Sequence, residues 1–219
     1  HACGTGDRVP NEIVKIMILL KVQSLSYGYS GCKLDTVERL VDFFNSDVYP
    51  VVYQQGSLGA SGDLVPLAHL CLPLVGLGEV EYRGKVMGAA EALRKNGWKP
   101  IQLASKEGLA LLNGTQNMSA YAVWAILNSK RLADWADAIA AMSLDAYCGL
   151  VEPFIDAVHQ VRPHRGQIFT AQRMRELLDG SEIVAKPKEY VQDPYSFRCI
   201  PQVHGAMRDT LAYVESVID

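Results

Sequence analysis

The stretch "QNMSAYAVWAILNSKRLADWADAIAAMSLDAY", residues 116 to 147, constrains the fold of this chain more than any other. It contains no glycine or proline. Its apolar positions include Met118, Tyr121, Ala122, Ala125, Ile126, Leu132 and Ala136, and it reads as one long helix. Many of these residues are alanines, which lets helices pack closely, and long helices with few loops imply a bundle. Further helices are expected at roughly 11–27, ended by Gly28, and after Asp35, as cap, with Val37, Leu40, Val41 and Phe44 on one face. Others follow Asp63, as cap, with Pro66 in the first turn, and lie in "AAEALRKNG", at about 167–179 closed by Gly180, and at about 201–218. "EVEYRGKVM" reads as a hairpin around Arg83-Gly84. The expected fold class is all-α: a helical bundle fragment with a short β-hairpin near 79–87, the 219 residues making a single partial domain.

Composition narrows the function. With 49% hydrophobic and 21% charged residues the chain is globular. A net charge of −3 and the lack of a basic stripe argue against a nucleic-acid partner. The longest apolar run, "IVKIMILLKV", is short and broken by Lys15 and Lys21, so no membrane span is expected. Five scattered cysteines without a CxxC pair imply reduced thiols and a cytoplasmic location. His159 and His164 have no Cys or carboxylate at ligand spacing, so no metal is expected.

"QQGSLGASGDLVPLAHL", residues 54 to 70, is the least scaffold-like segment. Gly56, Gly59 and Gly62 fall three apart among Ser57, Ala60 and Ser61. Asp63 follows where a phosphate loop needs lysine, and the dinucleotide fingerprint has different spacing. Taken alone it is a flexible loop. Three other segments carry polar groups in apolar surroundings. "HACGTG" opens the chain at His1. "LLNGTQ" places Asn113-Gly114 at a turn. "VQDPYSFRCIPQVHGA" sets Gln192, Tyr195 and Arg198 at i, i+3 and i+6, so one helical turn or tight loop aims them together, with Tyr195 and Arg198 half-buried. His69, after an apolar run, reads as a structural histidine.

Together these four segments, in this order, resemble the aromatic amino acid lyase family, whose members include histidine and phenylalanine ammonia-lyases. The resemblance implies that Ala60-Ser61-Gly62 cyclises by itself. The Gly62 amide nitrogen attacks the Ala60 carbonyl carbon, two waters leave, and Ser61 becomes an exocyclic methylene. The product is 4-methylidene-imidazole-5-one (MIO), an electrophile that ordinary side chains do not supply. Glycine suits the closure because no Cβ blocks the approach. "HACGTG" is similar to the segment of histidine ammonia-lyases whose histidine faces the substrate ring, which implicates His1. By the same resemblance Asn113 and Arg198 hold the substrate carboxylate, Gln192 hydrogen-bonds in the pocket, and Tyr195 stands beside the ring. Phe197 replaces the family's usual leucine, a departure that leaves the chemistry alone.

The implied reaction is deamination of L-histidine to urocanate and ammonia, with phenylalanine or tyrosine lyase or aminomutase activity as the alternatives. Family members are roughly twice this length. The catalytic tyrosine loop that precedes the histidine motif and the C-terminal half are absent from these 219 residues. The resemblance also implies a homotetramer whose sites draw on three subunits. The isolated 219 residues are therefore expected to have little or no lyase activity, and a catalytically inactive helical piece that only oligomerises is the reading outside the enzyme class.

Overall fold

The computed structural model describes residues 3–58 and 62–219. His1, Ala60 and Ser61, three of the residues singled out above, lie outside the described residues. The chain divides into two compact units, residues 1–124 and 125–219.

The first unit opens with strand β1 (Thr5–Arg8), helix α1 (Asn11–Ser26) and helix α2 (Leu34–Asn45). Strands β2 (Val48–Pro50) and β3 (Tyr53–Gln55) precede helix α3 (Leu64–Cys71), which tightens into a 3-10 turn over Leu72–Val75. Strands β4 (Glu79–Tyr82) and β5 (Lys85–Gly88), helix α4 (Ala89–Lys95) and helix α5 (Glu107–Leu112) follow. Helix α6 (Gln116–Tyr147) begins here, and the division between the units falls within it. Its ends fall where the sequence predicts them.

The helical class holds, and so does the hairpin. Val80 pairs with Met87 and Glu81 with Val86 in an antiparallel ladder. Its turn residues Arg83 and Gly84 both have positive φ, 53° and 72°, the geometry a two-residue hairpin turn needs. The sheet content is larger than expected, however. β2 pairs with β4 to make a three-stranded sheet, and β1 pairs with β3 in a second, two-stranded one. Segments of three or four residues are too short for an alternating pattern to show, and they are strands only because a distant partner aligns them.

Side chains of α1, α2, α3 and the sheet form the core of this unit, with Met17, Ile18, Leu40, Phe43, Leu67, Leu70 and Val80 buried. Two expectations for α2 are corrected. Its N-cap is Lys33, and Asp35 sits in the first turn without capping. Its buried face carries Thr36, Leu40 and Phe43, while Val41 is exposed. The reason is Glu107, a carboxylate with no exposed surface. Its Oε1 accepts hydrogen bonds from Lys33 N (2.7 Å) and Thr36 Oγ1 (2.9 Å), and its Oε2 accepts from Ala104 N (2.6 Å). A side chain from α5, more than 70 positions away, thus caps α2 and turns Thr36 inward.

The second unit continues from α6 through a 3-10 turn (Glu152–Phe154) to helices α7 (Asp156–Gln160), α8 (Arg165–Leu178), α9 (Tyr195–Arg198) and α10 (Ile200–Ile218). Its core holds Leu144, Phe154, Met174, Leu178 and Ile200. α8 and α10 meet at Gly166 and Gly205, where a Cβ on Gly205 would collide with the Gln167 backbone nitrogen. Beside that crossing, fully buried Asp137 of α6 meets His204 Nδ1 (2.7 Å) and Arg208 Nη2 (2.5 Å) from α10, with Arg173 Nε of α8 at 3.6 Å. Among the described residues no helix is long and apolar enough to cross a membrane.

Burial alone would raise the Glu107 pKa, but the backbone N–H groups of Ala104 and Lys33 and the Thr36 hydroxyl outweigh it and hold the acid at about 2. A carboxyl depressed in the folded state contributes stability above its unfolded pKa and loses it as pH falls through the folded value. The contribution is therefore complete above about pH 4.5 and fades towards about pH 2. Glu107→Gln is expected to cost about 2 kcal/mol at neutral pH. Thermal melts should show its deficit at pH 7 shrinking as the pH is lowered through that window.

Candidate active site

The glycine stretch is held from both sides. Upstream, Tyr53–Gln55 pairs with Thr5–Arg8, the strand that follows the His1 segment. Gly4 N donates to His69 Nε2 at 3.0 Å, and the His69 ring meets Tyr53 edge-on. Accepting at Nε2 places the imidazole proton on Nδ1, and burial pushes the His69 pKa down, which favours that neutral ring. His69 is thus the structural histidine the sequence suggests.

Downstream, Leu58 and Gly62 bridge across the three residues between them. Gly62 has φ +82°, and a Cβ there would lie 2.7 Å from the Gly114 carbonyl oxygen. Asp63 N donates to that same oxygen at 2.9 Å. The Asp63 carboxylate was expected to cap α3. It stands at the N-cap position but makes no hydrogen bond to that helix. Instead Oδ1 accepts from Ser57 Oγ (2.7 Å) and Oδ2 from Met118 N (2.9 Å). It caps α6 across 55 residues and leaves no surface of its own exposed. The first turn of α6 adds two buried amide oxygens, Gln116 Oε1 and Asn117 Oδ1, without partners among the described residues.

Asn113 ends α5 as its C-cap. Its side-chain Nδ2 donates to Leu109 O (2.8 Å), and its backbone oxygen accepts from Lys21 Nζ (2.7 Å). The exposed amide keeps a second N–H and its oxygen for a ligand. Gly62, Asp63, Asn113 and Gly114 are therefore brought together in the first unit.

In the second unit, Gln192, Tyr195 and Arg198 line one cleft of about 450 Å³ together with Tyr147, Tyr190 and Asp193. The Arg198 guanidinium lies 4.1 Å from the centre of the Tyr195 ring, and its Nε is buried without a partner among the described residues. Only Tyr195 and Arg198 share a helical turn, α9, and Gln192 precedes it. Tyr195 is 72% exposed, not half-buried as expected, because α9 is a single turn with no buried residue. Asp193, which no sequence pattern singles out, is the buried anchor. Its Oδ2 accepts from Leu150 N at 2.6 Å and ties the motif to the end of α6, where Cys148 has φ +60°. Partial burial and the Asp193 carboxylate push the Tyr190 phenol up to about 12, so it stays neutral near pH 7.

His159 is occupied structurally. Its Nε2 lies 2.9 Å from Pro153 O and its Nδ1 3.0 Å from Gln167 Nε2. Among the described residues no three His, Cys, Asp or Glu side chains group as a metal site.

The aromatic amino acid lyase family model matches residues 1–219. The chain belongs to the aromatic amino acid lyase family. It is 48% identical, over its whole length, to the histidine ammonia-lyase of Caldanaerobacter subterraneus subsp. tengcongensis, and spans 43% of that protein. Among solved structures, the histidine ammonia-lyase of Trypanosoma cruzi superposes with a TM-score of 0.89 at 38% identity, over 100% of this chain and 40% of that one. The ergothionase of Treponema denticola gives 0.94 at 30% identity, over 100% and 44%. The chain thus spans less than half the length of the curated relatives it matches.

Within this lyase fold, the residues that sequence reasoning missed are buried and polar. Lys21 and Glu107 both fall on helical stripes whose other members are buried, and that periodicity was the available signal. Asp63→Ala removes the acceptor of both Ser57 and Met118 and is expected to cost about 2 kcal/mol. A thermal melt unchanged from wild type would contradict the clamp.

Proposed function

We propose that this chain carries the cofactor-forming and substrate-binding segments of an ammonia-lyase that converts L-histidine to urocanate and ammonia. The observation that carries the reading is the contact between Gly62 and Gly114, a cradle with no room for a Cβ at the residue whose nitrogen must attack. The sequence around it is that of a family whose similar relatives are named histidine ammonia-lyase.

The residues present fit the MIO group. Ala60, Ser61 and Gly62 would form it, and Ser57, Asp63 and Gly114 hold the flanking backbone in the turned shape that closure needs. When formed, MIO supplies the electrophile that makes the amino group a leaving group. Arg198 receives the substrate carboxylate, because its fork matches two oxygens and its Nε lacks a partner among the described residues. In an assembly whose sites draw on three subunits, Asn113 offers its amide to a substrate carboxylate, His1 meets the imidazole, and Gln192 hydrogen-bonds within the pocket. Tyr195 stands beside the ring and assists its formation or the movement of protons. The base that takes the β-proton is a tyrosine supplied from outside these 219 residues, within a longer polypeptide that assembles as a cytoplasmic homotetramer.

In the full-length enzyme, wild type is expected to be lighter than its encoded mass by two waters and to release urocanate. Ser61→Ala should retain its encoded mass and lose activity by at least about a thousandfold. Coumarate or a β-amino acid as the main product would move the assignment elsewhere in the family. Arg198→Lys should raise KM at least about tenfold, since an ammonium cannot reproduce the planar fork. An unchanged KM would remove Arg198 from the carboxylate.

A further inference from the structure

Lys21 lies on the buried stripe of α1, with Ile13, Val14, Met17, Ile18 and Leu25, and is itself 1% exposed. Enclosing an ammonium costs several kcal/mol unless it is compensated, and no carboxylate lies within ion-pair distance of it among the described residues. The titratable groups that act on its charge are the Cys71 and Cys32 thiols. Burial pushes Cys71 up to about 12 and also raises Cys32, so neither supplies a counter-charge near pH 7. What Lys21 does meet is one backbone oxygen, that of Asn113, at 2.7 Å and 92 residues away in sequence. That oxygen is one peptide before Gly114, whose own carbonyl takes the Asp63 N–H and bounds the space at Gly62. A core lysine with this single hydrogen bond among the described residues is poorly explained as packing, since methionine would fill the same volume without the desolvation cost.

We propose that Lys21 is a positioning residue: it fixes the Asn113–Gly114 strap so that Gly114 holds Gly62 in the turn required for ring closure and Asn113 presents its amide to the substrate. The inference rests on the ammonia-lyase reading above. Loss of the ammonium leaves the Asn113 carbonyl without its donor and frees the strap at that end. The other end stays tied through Asp63 to the first turn of α6. Closure then slows without the fold being lost.

The test uses full-length Lys21→Met and Lys21→Arg, each compared with wild type by intact mass, thermal melting and steady-state kinetics. Lys21→Met is expected to form the same oligomer and melt within a few degrees of wild type. The fraction still at its encoded mass should rise at least about tenfold, and the matured fraction should show a KM raised severalfold. Lys21→Arg, which keeps a cationic donor, should recover part of both. A purely structural lysine would lower the melting temperature and leave the mass and KM of the folded protein unchanged, and that result overturns the proposal. If Lys21→Met does not fold, Lys21→Gln, which keeps a neutral donor, is judged by the same mass and KM readings. Should wild type itself retain its encoded mass, the ammonia-lyase reading fails first and this inference falls with it.

Discussion

The first unit depends on one buried carboxylate. Asp63 has no exposed surface, and both of its oxygens are used, one by the Ser57 hydroxyl and the other by the Met118 amide. Its backbone N–H is used as well, by Gly114. A single residue thereby joins the loop before the tripeptide, the turn after α5 and the start of α6. A buried carboxylate is tolerable only with such partners, because desolvation otherwise opposes its charge. The capping role it takes is also the one α6 needs, since the first amides of a helix have no partner inside it.

The same logic recurs with Glu107, which gathers Lys33, Thr36 and Ala104, and in the second unit with Asp137, which gathers His204, Arg208 and Arg173. In each case one acid draws together groups from two or three separate elements. The hydrophobic contacts around them are non-directional and tolerate sliding. The carboxylates do not, because each hydrogen bond has a required distance and angle. They set the register in which the apolar faces meet.

That division explains what could be read from the sequence. α6, the β4–β5 hairpin and the glycine-terminated helices were legible because periodicity and turn chemistry act over a few residues. The class of the chain was legible because four motifs stand in order along it. Asp63 as the cap of α3, Asp35 as the cap of α2 and Val41 as a core residue were misread for a common reason. Capping is a contest between near and distant acceptors, and for the Lys33 amide at the start of α2 and the Met118 amide in α6 a residue more than 50 positions away won. Strands β1 and β3 were missed because their pairing is set by Gly4, His69 and Tyr53 together. Lys21 was noted only as an interruption of an apolar run, although its spacing from Met17, Ile18 and Leu25 put it on the buried face.

The pairing of β1 with β3 has a consequence for anyone who would alter this protein. The segment that leads from His1 and the segment that leads into the tripeptide are two strands of one small ribbon, pinned by the Gly4–His69 hydrogen bond. A substitution in Thr5–Arg8 acts on the pairing that holds Tyr53–Gln55. Changes made in one strand and changes made in the other touch the same partners, and their effects will not add. The two segments should be varied as a unit.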